Sequence, residues 1–131
     1  MVKVLFDTNF LMAMFERPVD VVKRVEEVLE VSVEPVILKS QIRELENIAN
    51  SDKRLKASRT ARAVLQCIKD RFSVVEDFGG VVDDVLLEVS RREGYIVATN
   101  DRELRRKLRS NGISVIYLRS DGKVEIEGFQ P

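Results

Sequence analysis

Apolar residues along the chain occur in two patterns: short continuous runs, and longer stretches in which they recur every three or four positions. The short runs predict strands and the longer stretches predict amphipathic helices. Strands are predicted at 2–6, 36–38, 72–75, 95–99, 113–118 and 123–126. Helices are predicted at 10–15, 19–31, 41–50, 53–71 and 82–92, and from Asn100 or Asp101 to 109. Strands that alternate with helices imply a single α/β domain over residues 1–131, built on a mostly parallel sheet.

Residues with strong backbone preferences mark several of these predicted boundaries. Pro18 suits the first turn of a helix, Ser40 can cap the helix that follows it, and Gly94 suits the end of a helix. Ser-Asp-Gly at 120–122 is a turn sequence between two short apolar segments. We therefore expect an antiparallel hairpin at the C-terminal edge of the sheet.

Composition narrows the chemistry that the chain can perform. It contains no histidine and one cysteine, which excludes the usual general base, an intramolecular disulfide and most zinc sites. Its 22 basic and 22 acidic residues give no net charge, so attraction to a polyanion must come from local patches. No apolar run is long enough to cross a bilayer, and the N-terminal segment lacks the pattern of a signal peptide, so we expect a cytoplasmic protein.

Two acidic residues are predicted to lie where strands end. Asp7 directly follows the strand at 2–6, and Asp101 follows the strand at 95–99. Ligands of open parallel sheets bind outside the carboxyl ends of the strands. Each aspartate alone could be only a helix cap. Two carboxylates at the ends of central strands would instead lie close together, and they would need a cation or a proton between them.

Two further acids lie near the predicted starts of helices. Glu44 stands one turn after Ser40, where an isolated glutamate is most often a solvated helix charge. Asp83 stands in the first turn of its helix, where the helix dipole alone favours an anion. Glu46 and Asp84 are the alternatives at these two places. The spacing favours Glu44 and Asp83 as the members of an acidic cluster.

Acids that gather without histidine or cysteine offer only oxygen ligands, which favours Mg²⁺ or Mn²⁺. Such cations suit phosphodiester hydrolysis, because they lower the pKa of a water molecule and neutralise charge on the phosphate. Thr8, Asn9, Thr99 and Asn100 stand beside the two strand-end acids. Their side chains can either orient the carboxylates by hydrogen bonds or satisfy the backbone of turns.

The order of these residues resembles that of the PIN domain over nearly the whole chain. The matching segments are Asp-Thr-Asn at 7–9, Arg-Glu-Leu at 43–45, Asp83, and Thr-Asn-Asp-Arg-Glu-Leu at 99–104. The resemblance assigns the four acids of the family to Asp7, Glu44, Asp83 and Asp101, as metal ligands and catalytic residues. A haloacid-dehalogenase-type phosphatase, in contrast, would need a second aspartate where Asn9 stands.

This resemblance carries further expectations. It implies a three-layer α/β/α sandwich and a Mg²⁺- or Mn²⁺-dependent endoribonuclease. The chain looks closest to small archaeal PIN proteins related to the rRNA-processing branch, and more distantly to the toxins of toxin–antitoxin pairs. A homodimer and an antitoxin-like protein are therefore candidate partners beside RNA. The non-enzymatic alternative is a PIN fold kept as an RNA-binding or assembly module.

Two groups of basic residues are candidates for RNA contact. The first group precedes and begins the long helix, and the second lies on the helix after Asp101. The members are Lys53, Arg54, Lys56, Arg59 and Arg62 in the first group, and Arg102, Arg105, Arg106, Lys107 and Arg109 in the second. Either group could be only a solvated surface. If they flank the acidic cluster, they would bind phosphates on each side of the scissile bond.

Overall fold

The computed structural model of the protein describes residues 1–16, 20–77 and 79–128. The strands are β1 (Val2–Phe6), β2 (Val33–Leu38), β3 (Ser73–Val75), β4 (Ile96–Ala98), β5 (Val115–Leu118) and β6 (Val124–Glu127). The helices are α1 (Thr8–Met14), α2 (Val21–Leu29), α3 (Lys39–Ala49), α4 (Lys56–Arg71), α5 (Val82–Glu93) and α6 (Arg102–Ser110). Each predicted strand and helix thus has a counterpart, although several boundaries differ.

The strands form one sheet in the order β3-β2-β1-β4-β5-β6. All neighbouring pairs are parallel except β5 and β6, which form the expected antiparallel hairpin at the C-terminal edge. β1 lies at the centre and pairs with β4 so that Phe6 stands beside Ala98. Because both strands end at this level, Asp7 and Thr99 emerge next to each other at the carboxyl edge of the sheet.

The sheet separates two hydrophobic cores. On one face, Val4 and Phe6 pack with α1, α2, α3 and α4, and on the other face Leu5 packs with α5 and α6. Successive side chains of β1 enter different cores, as the pleat of a strand requires. Helices therefore cover both faces, which confirms the three-layer α/β/α sandwich. Within the described ranges, no helix is both long and apolar enough to cross a membrane.

The prediction that Ser40 caps a helix is wrong. Helix α3 begins at Lys39, two residues before the predicted start at 41, and its N-cap is Leu38. The Oγ of Ser40 is buried and has no hydrogen-bond partner among the described residues. The Ser40 backbone N–H donates instead to Oδ1 of Asp77 at 3.0 Å, so a carboxylate from the β3–α5 loop satisfies the start of α3. A partner 37 positions away is invisible to local capping rules.

Strand β2 is longer than predicted, because it begins at Val33 and contains Pro35 in its interior. Proline cannot donate a hydrogen bond to a neighbouring strand, so it is expected at strand starts and edges. The short strand β3 pairs with β2 only from Val36 to Leu38. Pro35 therefore lies beyond the reach of β3 and breaks no hydrogen bond on that side.

Among the other helices, α2 and α4 begin later than predicted and α1 begins earlier. α4 begins at Lys56 rather than 53, because Asp52 holds the preceding residues in a turn by accepting hydrogen bonds from the backbone and side chain of Arg54. α2 begins at Val21, capped by Asp20, and the predicted role of Pro18 lies outside the described residues. α1 begins immediately after Asp7, at Thr8 rather than at 10.

Candidate active site at the carboxyl edge of the sheet

Asp7 occupies the junction between β1 and α1. Its backbone N–H donates to the carbonyl of Ala98 at 2.8 Å, which ties it to the end of β4. The residue is only 6% exposed, and its side chain forms no capping hydrogen bond with α1. A buried carboxylate is costly unless polar groups or charges compensate it. Its placement is therefore not explained by stabilisation of the helix that follows.

Thr99 connects the ends of the two central strands. Its hydroxyl donates to Oδ2 of Asp7 at 2.7 Å and accepts from the backbone N–H of Asp101 at 3.1 Å. The side chain is fully buried. One hydroxyl thus fixes the orientation of the Asp7 carboxylate and the position of the loop that carries Asp101.

The two asparagines at this edge hold backbone rather than carboxylates. Oδ1 of Asn9 accepts from the backbone N–H of Asn100 at 3.2 Å. Oδ1 of Asn100 accepts from the backbone N–H of Leu118 at 2.9 Å. Of the two alternatives open for these residues, the structure places both asparagines in the turn-stabilising role. They hold the ends of β1, β4 and β5 together.

Asp101 is the N-cap of α6. Its Oδ1 accepts from the backbone N–H of Leu104 at 3.1 Å. This contact is the helix-capping role that the sequence also allowed. The same residue is half-buried at the edge that Asp7 occupies, so it can present its other oxygen toward a ligand while it caps the helix.

The acids at this edge influence one another. The pKa of Asp7 is raised to about 6, first by burial and then by the charges of Asp83 and Glu44, against the lowering effect of the Thr99 hydroxyl. Glu44 remains exposed to solvent, but its pKa is also raised, first by partial burial of the carboxylate and then by the charge of Asp83. Three acids, one from the end of β1, one from α3 and one from α5, therefore form one electrostatic unit.

Asp83 couples this unit to α6. Its pKa is raised by burial and by the charge of Asp101, while Lys107 lowers it. Asp84, the alternative at this position, is exposed and lines a separate cleft with Glu88. The structure therefore places Asp83, and not Asp84, among the acids of the carboxyl edge.

The four acids share an edge but do not converge on a point. Within residues 1–16, 20–77 and 79–128, no three acidic or cysteine side chains lie close enough together to hold one metal ion between them. Like charges repel, and close approach of carboxylates requires a cation or a proton. The structure thus brings Asp7, Glu44 and Asp83 within electrostatic reach of one another, and Asp101 within reach of Asp83, without closing a ligand shell.

Gln41 supports this edge and is absent from the site predicted from the sequence. Its Nε2 donates to the Phe6 carbonyl at 2.8 Å and its Oε1 accepts from the Leu38 backbone N–H at 2.8 Å. Its Nε2 also lies 3.5 Å from the Thr8 hydroxyl. The residue is completely buried. It links the ends of β1 and β2, and the only sequence signal for it is a glutamine at the third position of a helix.

The two basic groups have different surroundings. In the first group, Arg54 forms an ion pair with Asp52 at 3.0 Å, and Arg59 donates to the backbone carbonyl of Arg54. In the second group, Arg102 and Arg105 line a cleft with Asn100, the neighbour of Asp101 in the chain. Only for the second group do these contacts place basic side chains directly beside the acidic edge.

The fold and the site define a class of protein, an α/β/α sandwich with a buried aspartate and further acids at the carboxyl edge of its parallel sheet. A family model described as a PIN-like domain matches residues 4–121. The chain therefore belongs to the PIN-like domain family.

Two curated archaeal proteins are similar to this chain over most of its length. Ribonuclease VapC4 of Methanocaldococcus jannaschii is 34% identical over 98% of this chain and 99% of its own length. Ribonuclease VapC9 of Archaeoglobus fulgidus is 37% identical over 92% of this chain and 86% of its own length. Both relatives support a nuclease.

A solved structure supports the same fold. The PIN domain endonuclease Utp24 superposes with a TM-score of 0.80, covering 97% of this chain and 92% of that one at 24% sequence identity. At this level of identity the match shows the common fold, which agrees with the sheet order and layers described above.

Proposed function

We propose that this protein is an endoribonuclease that hydrolyses RNA phosphodiesters at the carboxyl edge of its sheet with the help of Mg²⁺ or Mn²⁺. The observation that carries the proposal is the burial and hydrogen bonding of the Asp7 carboxylate. This carboxylate is buried, is held by the Thr99 hydroxyl at 2.7 Å, and does not cap the helix that follows it. Burial of a carboxylate costs stability, so a role in binding or chemistry explains its position better than a structural role.

The donor atoms at this edge suit a hard divalent cation. Asp7, Glu44, Asp83 and Asp101 would hold it, and all of them offer carboxylate oxygen. Burial first, and then repulsion among these acids, raises the pKa of Asp7, Glu44 and Asp83, and a cation would relieve the repulsion. When bound, the cation would activate water and neutralise charge that develops on the phosphate.

Residues of the chain itself set the geometry for this chemistry. Thr99 orients the Asp7 carboxylate, and Gln41 keeps the end of β1 in register with the end of β2. Orientation by hydrogen bonds of this kind is worth a factor of roughly 10–100 in metal affinity or activity. Arg102 and Arg105 lie beside Asp101 and are placed to bind phosphate groups of the substrate.

The biological setting has two candidates. The first is RNA processing in the cell, including rRNA processing. The second is the toxin of a toxin–antitoxin pair, with an antitoxin-like protein as partner, and the similarity to the two VapC ribonucleases supports it. Expression in a heterologous host separates them. The toxin role predicts growth arrest that Asp7→Asn relieves, and the processing role predicts no arrest.

The test of the activity is cleavage of labelled single-stranded RNA by purified protein with Mn²⁺. We expect cleavage by the wild type, none after chelation of the metal, and none by Asp7→Asn. Asp84→Asn is the matched control, because it removes the same charge from the neighbouring cleft and should leave cleavage unchanged. Thr99→Val should reduce the rate roughly 10–100-fold, because it frees the Asp7 carboxylate to reorient.

The same assay addresses the non-enzymatic alternative. Wild-type protein that binds RNA but never cuts it with Mn²⁺ or Mg²⁺ would favour an RNA-binding or assembly module. Cleavage that persists at the wild-type rate in Asp7→Asn would place the chemistry elsewhere and contradict the proposal.

A further inference from the structure

Two clefts meet on the surface formed by α6, β5 and β6. The smaller, about 260 Å³, lies between Asn100 and Ser120 and is lined by Arg102, Arg105 and Arg119. The larger, about 580 Å³, continues along α6. We call the five arginines of both clefts the arginine track: Arg102, Arg105, Arg106, Arg109 and Arg119. Because Arg102 and Arg105 line both clefts, the track is continuous.

Arg105 is held at the junction of the two clefts by Tyr117. The guanidinium carbon of Arg105 lies 4.1 Å from the centroid of the Tyr117 ring, a cation–π contact. The Tyr117 hydroxyl donates to Oε2 of Glu125 at 2.8 Å, which fixes the ring in turn. A stacked guanidinium keeps its N–H groups at its rim free to bind anions, so Arg105 is oriented before any ligand arrives.

The arginines of the track outnumber the carboxylates that pair with them, so the track carries a net positive charge. Glu127 lies 4.0 Å from both Arg105 and Arg109. Arg119 is paired with Glu125 and Asp121. The two remaining arginines of the track, Arg102 and Arg106, form no ion pair within the described part of the chain.

The track begins at the candidate active site. Asp101 caps α6, Arg102 is the first residue of that helix, and Asn100 lines the smaller cleft. Asn100 also binds the backbone of Leu118 in β5, so the floor of this cleft is joined to the acidic edge. A polyanion that lies in the track would therefore reach the acids at Asp101.

We propose that the arginine track binds the phosphodiester backbone of single-stranded RNA on one side of the scissile bond. The inference rests on the proposed function, and it adds Arg119 and the Arg105–Tyr117 stack to the basic residues of α6 in the substrate-binding surface. Guanidinium groups bind phosphate through paired hydrogen bonds, and such contacts are independent of base sequence. The track accordingly selects the backbone and leaves base selection to other parts of the surface.

The test measures the affinity of a fluorescently labelled single-stranded RNA by anisotropy, with Asp7→Asn as background so that no cleavage occurs. The track variant is Arg105→Gln/Arg119→Gln. The matched control is Arg91→Gln/Arg92→Gln, which removes the same charge at the C-terminal end of α5. This end precedes the start of β4, so it lies toward the amino ends of the strands, opposite the acidic edge. A second track variant, Arg102→Gln/Arg106→Gln, breaks no ion pair of the described residues and guards against an effect of misfolding.

We expect both track variants to bind at least about 10-fold more weakly than the control. Their salt dependence should be less steep by about 0.7 for each phosphate group that the protein no longer neutralises. Affinities within twofold of the control for both track variants would overturn the proposal.

A separate measurement of RNA cleavage by the wild type distinguishes the proposed endoribonuclease activity from the proposed role of the arginine track. RNA binding that depends on the track without any cleavage refutes only the proposed enzyme. Cleavage with track variants that bind like the control refutes only the track.

Discussion

Two polar triplets of similar composition follow two neighbouring parallel strands, and the protein uses them differently. Asp-Thr-Asn at 7–9 follows β1, and Thr-Asn-Asp at 99–101 follows β4. In the first triplet the aspartate is buried and its carboxylate forms no capping hydrogen bond with the helix that follows. In the second the aspartate caps α6 and the threonine supports the aspartate of the first.

The difference follows from the order of residues within each triplet. Asp7 comes directly after its strand, so its carboxylate lies at the edge of the sheet beside Thr99 of the neighbouring strand. Asp101 comes two residues later, at the point where a helix begins and needs an N-cap. Position relative to the end of a strand therefore separates an acid that only the site requires from one that the fold also requires.

The contrast between Asp7 and Asp101 can be tested by stability measurements. The largest effect that we expect is a pH dependence of the free energy of unfolding that comes from Asp7. Its pKa is about 6 in the folded protein, against an ordinary value of 3.8. The folded state therefore binds more protons than the unfolded state between these values, and the free energy of unfolding falls as pH rises through this window. A shift of this size corresponds to at most about 3 kcal/mol.

Denaturation of the wild type and Asp7→Asn from pH 4 to pH 7, without metal, measures this contribution. Asparagine cannot ionise, so Asp7→Asn should gain stability relative to the wild type as pH rises. A stability difference that stays constant over this range would mean that burial does not raise the pKa of Asp7. The contrast between Asp7 and Asp101 would then be wrong.

A smaller effect is expected from removal of the cap at Asp101. Asp101→Ala should lower the free energy of unfolding by about 1 kcal/mol, because the Leu104 N–H loses its acceptor, whereas Asp101→Asn should retain most of the stability, since asparagine caps helices about as well. Both variants should lose RNA cleavage. Urea denaturation and the cleavage assay together separate the two roles. Full activity in Asp101→Asn would leave Asp101 with capping alone.

Much of the architecture could be predicted because the strands and helices carry strong local patterns. Alternate burial along β1 and the helical spacing of Leu86 and Val89 in α5 follow directly from periodicity. Gly94, in the left-handed conformation at φ 73°, ends α5 as its sequence position predicts. The strand-end positions of Asp7 and Asp101 likewise follow from the predicted ends of β1 and β4.

The remainder depends on contacts between distant residues, for which local patterns hold no information. Asp77 replaces Ser40 at the start of α3 only because the chain folds back on itself. Gln41 looks like an ordinary helix residue until the ends of β1 and β2 are placed against it. Whether Asp83 or Asp84 joins the site depends on the rotation of α5 about its axis, which spacing alone predicts only approximately.

The central claim is that acids at the carboxyl edge bind a divalent cation through Asp7, and titration calorimetry with Mn²⁺ tests it most directly. The wild type and the control Asp84→Asn should bind Mn²⁺ with equal affinity, and Asp7→Asn should bind it at least about 10-fold more weakly. Equal Mn²⁺ affinity for the wild type and Asp7→Asn, or no detectable binding by the wild type, would contradict the account.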